Sequence, residues 1–281
     1  MVDYSLNMIY NTIKFYNEGV TRLGKHRARW DEKRYIRDLR NGVSQGTGAS
    51  YIPGISIHDF PSRGISSRIY GQTTGRIHHC LSRNEEYYFI ILDHDPDVLD
   101  IREQFWLRLS ETLEIASRLN IRHPRQGNFP SPISTDFVIT RRDGIYARTV
   151  KESRELEDPR VLEKFSIEFQ YWKEKGIDWK VVTENEINRD LARNLRWLHS
   201  GPSVTEIIPD AGLREEASDL LIELIGERQF PFSGMLEIVE EGLGLPSGAA
   251  ITLFKHLVLA GRVPLDLSQP INFMDPFAKE D

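Results

Sequence analysis

The chain has 281 residues, 40% apolar and 28% charged, enough for one large core or two moderate ones, which excludes a mini-protein and a disordered tail. Its formal net charge of −6 argues, taken alone, against a nucleic-acid partner, and its single cysteine, Cys80, excludes an internal disulfide and leaves no zinc-ligand spacing. No run of 18 apolar residues would span a bilayer and the first 20 residues lack the order of a secretory signal, so a soluble cytoplasmic protein is expected.

From the N-terminus, Arg22, Lys25, Arg27, Arg29, Lys33, Arg34, Arg37 and Arg40 face only Asp31, Glu32 and Asp38. This block suits either a phosphate backbone or a solvated basic helix. A helix is predicted near 30–41. The Gly/Ser-rich stretch 41–50 reads as a flexible loop without the GxxxxGK[ST] spacing of a phosphate cradle. Short strands are predicted at 55–60, 67–70 and 76–79. Adjacent His78 and His79 on the last of these would face opposite ways and share no metal, leaving one to face a cleft. A helix follows from Ser82 to about 94, then a strand at 98–105, a helix at 110–119 and a Pro-bearing loop at 121–131.

Strands at 135–141 and 145–150 form a hairpin around Asp143-Gly144. Asp158-Pro159 opens a helix of about 17 residues with Leu162, Phe165, Phe169 and Trp172 as its buried stripe. A strand at 179–183 and a helix at 185–199 complete an α/β domain, a mixed sheet flanked by helices, spanning 51–200 after a basic helical arm and loop at 1–50. Gly201-Pro202-Ser203 marks the boundary. Helices near 213–227, 232–241 and 247–260, then an apolar alternation at 263–267 forming a hairpin or arm, predict a winged-helix-like domain at 201–281. That domain holds 14 acidic against 5 basic residues.

The hairpin brings chemistry together. With Asp143-Gly144 as a two-residue loop, Asp136 falls opposite Lys151, with Cβ atoms about 5 Å apart, and Thr149 shares their face. This is either a cross-strand ion pair or part of a site. Glu85 recurs with Phe89 and Leu92 on a helix face turned to the core, and Ser82-Arg83-Asn84-Glu85 is also a capping box. Glu168 borders the helix stripe, as an edge ion pair or a site residue. Two carboxylates and a lysine suit a metal-dependent nuclease, in which the acids hold Mg²⁺ (or Mn²⁺) and the lysine stabilises charge on phosphorus. The restriction-endonuclease signature places [DE]-x-K after the strand Asp. Here Thr149-Val150-Lys151 lacks the acid, leaving the Thr149 carbonyl as the third ligand.

Tyr51-Ile52-Pro53, Arg68-Ile69-Tyr70, Gly75-Arg76-Ile77-His78-His79, Leu81-Ser82 with Glu85, and Val98-Leu99-Asp100-Ile101-Arg102-Glu103-Gln104-Phe105 belong to one longer pattern. It continues through Ser134-Thr135-Asp136-Phe137, Val150-Lys151, Leu162-Glu163-Lys164, Tyr171-Trp172, Glu186-Ile187-Asn188 and Trp197-Leu198. In order and spacing over 51–198 this resembles the TnsA family, endonuclease subunits of heteromeric cut-and-paste bacterial transposases. The resemblance implies a restriction-endonuclease-like domain followed by a winged helix, and Mg²⁺-dependent nicking of double-stranded DNA at the 5′ strand ends of a transposon. A companion DDE transposase, TnsB, would cut the 3′ ends. It further implies Glu85, Asp136 and Lys151 as catalytic residues with Glu168 as an additional acid, metal ligation by Glu85, Asp136 and Thr149, and engagement of the ATP-dependent regulator TnsC through 201–281. Two other functions stay open: a restriction- or repair-type nuclease acting without a transposase, and a non-catalytic DNA-binding assembly protein.

Overall fold

The computed structural model describes residues 31–57, 66–272, 274, 276 and 277; the expected basic residues 22–30 and the end of the expected 55–60 strand lie outside these. The chain divides into two compact units, Met1–Ile187 and Asn188–Asp281.

In the first unit the Asp31 side chain caps α1 (Glu32–Arg40), whose buried residue Tyr35 packs on the rings of Trp106 and Phe129. β1 (Ser67–Gly71) and β2 (Arg76–Cys80) form an antiparallel hairpin leading into α2 (Arg83–Asp93). β3 (Val98–Trp106) precedes α3 (Leu109–Arg118), and the Pro-bearing loop contains a two-residue pairing of β4 (Arg125–Gln126) with β5 (Phe129–Pro130). β6 (Ser134–Arg141), β7 (Gly144–Val150), α4 (Pro159–Glu174) and β8 (Asp178–Val182) follow. The main sheet has the order β3-β6-β7-β8, antiparallel except for the parallel pair β7-β8 joined through α4, so the expected mixed sheet is present. Val138 and Ala147 pack with Ile115 and Ala116 of α3 and Ile167, Tyr171 and Trp172 of α4, while neighbouring Phe137 meets Tyr88 of α2. Helices therefore cover both faces.

Three expectations are corrected here. Residues 55–57 form no strand, because the preceding Gly54 N–H is bonded to the Gln104 carbonyl and its backbone lies so tightly under Trp106 that an added Cβ would sit 2.2 Å from the indole. The hairpin pairs Arg141 with Gly144 and Phe137 with Arg148, two residues out of the expected register. Arg142 cannot join the ladder because its N–H bonds to the Asp97 carbonyl at 3.0 Å; the loop is therefore Arg142-Asp143, and Gly144 enters the strand at φ +156°. An even slip preserves every face, yet it removes Lys151 from its place opposite Asp136. Finally, of the expected α4 stripe Phe165 and Trp172 are buried, but Leu162 and Phe169 are each 46% exposed, and Ile167, Glu168 and Tyr171 are buried in their place.

The second unit is helical: α5 (Arg189–Leu198), α6 (Val204–Ile207), α7 (Ala211–Glu227), α8 (Phe232–Leu243) and α9 (Ala249–Leu259). Leu221, Leu253, Phe254 and Leu257 centre its core, and Phe254 meets the rings of Trp197, Phe232 and Phe277. The unit begins before the expected boundary at Gly201 because Leu198 belongs to this core and Asn194 Nδ2 donates to the carbonyls of Leu267 and Gln269, at 2.9 and 2.7 Å. After Gly261 the described residues form an arm without strand pairing, with Val263, Leu265 and Leu267 packed on the core. A fragment 188–281 is expected to melt cooperatively, whereas 201–281 loses Leu198 and both Asn194 bonds, about 3–5 kcal/mol together. Circular-dichroism melts of the two fragments check this; equal midpoints would return α5 to the first unit.

Candidate active site

Ser82 terminates the backbone ahead of α2 by accepting the N–H of Glu85 at 3.1 Å, which is half of the predicted capping box. The other half is diverted. Glu85 Oε2 takes the N–H of Leu81 at 2.9 Å, and the same oxygen receives Gln104 Nε2 at 3.3 Å. That one amide nitrogen also donates to Asp136 Oδ1 at 3.1 Å. The second Asp136 oxygen takes the N–H of Val150 at 2.8 Å, so the aspartate clasps β7 where the paired residues of the β6–β7 ladder end. Two carboxylates from a helix and a strand thus share one neutral donor.

Their charges remain poorly compensated. Burial and the neighbouring Asp136 charge push the Glu85 carboxyl up to about 8. Burial likewise raises Asp136, against the pull of Lys164, the Val150 N–H, Gln104 and Lys151.

Close enough to act on Asp136 lies a third acid. Glu168 is fully buried, with Oε2 accepting from Thr149 Oγ1 at 2.6 Å, Thr135 Oγ1 at 3.3 Å and Trp179 Nε1 at 3.3 Å. The indole of Trp172 in turn donates to Thr135 Oγ1 at 2.8 Å. Among the described residues Glu168 Oε1 has no hydrogen-bond partner, its neighbour being the Lys164 ammonium at 3.5 Å. Burial raises the Glu168 carboxyl despite Lys164. Burial disfavours the Lys164 charge too, but Glu168 and Asp136 outweigh it and raise the amine. Lys151 stands apart, a third exposed at the end of β7, with Nζ 2.7 Å from Glu155.

Residues 95–184 match the family model described as TnsA-like endonuclease N terminal, and residues 186–267 match TnsA endonuclease C terminal, together more than half of the chain. The chain belongs to the TnsA family. Over 181 residues it is 40% identical to the transposon Tn7 transposition protein TnsA of Escherichia coli, an alignment spanning 63% of this chain and 66% of that relative. The two TnsA models meet close to the division between the structural units at Ile187, and the second carries the family match well past residue 198. Glu85 precedes the first matched segment, so its association with Asp136 rests on geometry.

Against the residues expected from sequence, this TnsA chain brings Glu85 and Asp136 together and sets Glu168 and Thr149, hydrogen-bonded to each other, close by. Thr149 spends its hydroxyl on Glu168, so only its backbone carbonyl is left for a metal. Glu168 is sealed from solvent, and its ion-pair partner Lys164 is 38% exposed. Lys164 and Gln104 were missed as site residues. Both stood inside the quoted family segments, but an amide in a strand and a lysine one turn before a glutamate carry no chemical signature of their own. Of the two histidines, His78 is buried, its Nδ1 2.8 Å from Glu103 and its Nε2 2.6 Å from Thr74 Oγ1, while His79 borders an open cleft of about 610 Å³ beside Arg68 and Ile77.

The donor set fits a hard divalent cation. Mg²⁺ takes one or two protein carboxylates and fills its other positions with water and substrate phosphate, and among the described residues no cluster of three His, Cys, Asp or Glu side chains offers a closed cage. Glu85 and Asp136 would hold it. A pH signature follows. A carboxyl raised to about 8 keeps its proton in the fold where the unfolded chain has lost it, so its contribution to stability falls as pH rises from about 4.5 to about 8. The metal-free chain is expected to melt at a lower temperature at pH 8 than at pH 5.5, and Mg²⁺ is expected to narrow the difference. Thermal scans at both pH values check it; a flat profile would show that Glu85 ionises normally.

Proposed function

We propose that this TnsA chain is a Mg²⁺-dependent endodeoxyribonuclease subunit that nicks the 5′ strand ends of a Tn7-like transposon, with a DDE transposase, TnsB, cutting the other strands. The observation that carries the reading is the Glu85–Gln104–Asp136 arrangement: two acids converging on one neutral donor, with the charges of Lys164 and, more weakly, Lys151 acting on Asp136. The name of the E. coli relative, a transposition protein, supports the biological setting.

When bound there, Mg²⁺ would neutralise the phosphodiester and lower the pKa of a water. The chain's own residues do the rest. Asp136 is fixed through one oxygen by the Val150 N–H, so its other oxygen, which takes Gln104 Nε2, keeps one position relative to the end of β7. The Lys151 ammonium, held only by an ion pair with Glu155, is free to swing onto the non-bridging oxygens as charge builds on phosphorus. Hydrolysis on this plan leaves a 5′-phosphate and a 3′-hydroxyl.

The acidic second unit suits a protein ligand better than DNA. Its α9, the helix a winged helix would offer to a groove, carries Lys255, and that ammonium is engaged by the Ser200 carbonyl at 3.1 Å and the Trp197 ring. We assign it to a basic segment of the regulator TnsC. Fragment 188–281 is expected to bind TnsC with salt-sensitive affinity and to leave duplex DNA unshifted; tight DNA binding by the fragment would refute this. The whole assembly would act on DNA in the cytoplasm. Among the described residues no helix is long and apolar enough to cross a membrane.

A plasmid carrying transposon ends, incubated with Mg²⁺ with and without TnsB, tests the reading. Nicking at the ends that depends on TnsB supports it. Nicking of unrelated sites without TnsB would make the chain a restriction- or repair-type nuclease, and inactivity in the assembled complex would make it an assembly protein.

A further inference from the structure

β3 contains a residue that a strand does not ordinarily tolerate. Gln104 has φ +49°, the left-handed region, in the middle of a strand and 2% exposed. Its neighbours Glu103 and Phe105 pair with Phe137 and Thr135, so Gln104 is level with Asp136 yet drops out of the ladder. A long side chain in this conformation persists only where its surroundings hold it there.

They do so on both sides. Burial would raise the Glu103 carboxyl, but Arg76 and His78 pull it down to about 2; Arg76 Nη1 donates to Oε1 at 2.8 Å and His78 Nδ1 lies 2.8 Å from Oε2. The Glu103 carbonyl takes the Tyr51 hydroxyl at 3.0 Å, and the Gln104 carbonyl takes the Gly54 N–H at 3.0 Å. The side-chain amide is oriented as well. Ser134 Oγ donates to Gln104 Oε1 at 3.2 Å, which turns Nε2 toward the two carboxylates.

We propose that Gln104 is a positioning residue for the metal site: its left-handed backbone aims one amide nitrogen between Glu85 and Asp136 and holds the two acids at the spacing a divalent cation needs. The inference rests on the metal-nuclease reading above. The nitrogen touches Glu85 Oε2 and Asp136 Oδ1, one oxygen of each acid, leaving Glu85 Oε1 and the remaining lone pairs to face a cation. Supporting hydrogen bonds of this kind fix the orientation of ligands, and their loss weakens metal binding about 10- to 100-fold.

The test is Mn²⁺ binding to the full-length protein, by calorimetry and by electron paramagnetic resonance of free Mn²⁺, for the wild type, Gln104→Met, Ser134→Ala and Asp136→Ala. Methionine keeps the buried volume and removes both donors. Ser134→Ala keeps the glutamine but frees its amide to rotate, which guards against a Gln104→Met protein that fails to fold. The expected result is binding weakened about 10- to 100-fold in Gln104→Met and by a smaller factor in Ser134→Ala, with folded circular-dichroism spectra throughout. Mn²⁺ binding that Asp136→Ala abolishes but both Gln104→Met and Ser134→Ala retain in full would overturn the role of Gln104 and leave the metal site standing. Absence of Mn²⁺ binding in the wild type would overturn the metal-site reading itself, and this inference with it.

Discussion

Asp136→Asn is expected to reduce Mg²⁺-dependent strand nicking by at least about 10³-fold, equivalent to about 4 kcal/mol of lost transition-state stabilisation. Asparagine is nearly isosteric and still offers an oxygen to the Val150 N–H, which the wild-type carboxylate accepts at 2.8 Å, so the clasp between β6 and β7 survives. What disappears is one of two buried negative charges. Because the Asp136 charge is, after burial, the next contributor that raises Glu85, its removal lets Glu85 ionise closer to its usual range. Because the amide nitrogen also replaces the oxygen that accepts from Gln104 Nε2, the gain and the loss offset, and the variant should melt within a few degrees of the wild type at pH 8 in the absence of metal. Gel assays of supercoiled plasmid nicked by the assembled complex, alongside thermal scans, decide the matter. Retained nicking would remove Asp136 from the active site, and lost nicking with a collapsed melting temperature would show that the clasp between β6 and β7 had failed instead.

How far the site could be read from sequence depends on which force placed each residue. Elements governed by local chemistry were legible: Ser82 and Asp158 cap the helices they were expected to cap, and the parallel addition of β8 through α4 follows from strand and helix alternation. The hairpin was legible in kind but not in register. An Asp-Gly pair marks a turn, and whether Asp143-Gly144 or Arg142-Asp143 occupies its centre was settled at long range, by the Asp97 carbonyl that takes the Arg142 N–H. The slip kept Asp136 and Thr149 on the inferred face but separated Asp136 from Lys151. On α4 apolar periodicity placed Phe165 and Trp172 but not the rest of the face, because Glu168 is buried by three donors and an ammonium rather than by hydrophobicity, and the helix turns to satisfy it while exposing Phe169. Gln104 was the least legible. Its importance lies in a positive φ flanked by long-range contacts from the 51–54 segment, Arg76 and His78.

The two lysines should separate catalysis from architecture. Lys151 is a third exposed and bonded through its side chain to Glu155, an ion pair of a kind worth about 0–1 kcal/mol, so Lys151→Met is expected to leave the melting temperature within a few degrees of wild type. Nicking should fall about 10²- to 10³-fold, the scale for losing one charge-stabilising group from a phosphoryl or acyl transition state. Lys164→Met should show the reverse emphasis. Its ammonium is the charge that faces Glu168 Oε1, an oxygen with no hydrogen-bond partner among the described residues, and it also draws Asp136 down more than Lys151 does. Removing it strands a fully buried carboxylate, at a cost of about 1–3 kcal/mol, moderated because the lysine side chain is itself 38% exposed. Glu168 would then take up a proton, and adding Glu168→Gln to Lys164→Met should recover much of the lost stability, since a neutral amide no longer needs the ammonium. Thermal unfolding and plasmid nicking on the two single variants and the double variant test both halves. If Lys151→Met nicks at the wild-type rate while Lys164→Met is stable and inactive, the cation that meets the phosphodiester sits on α4 and not at the end of β7.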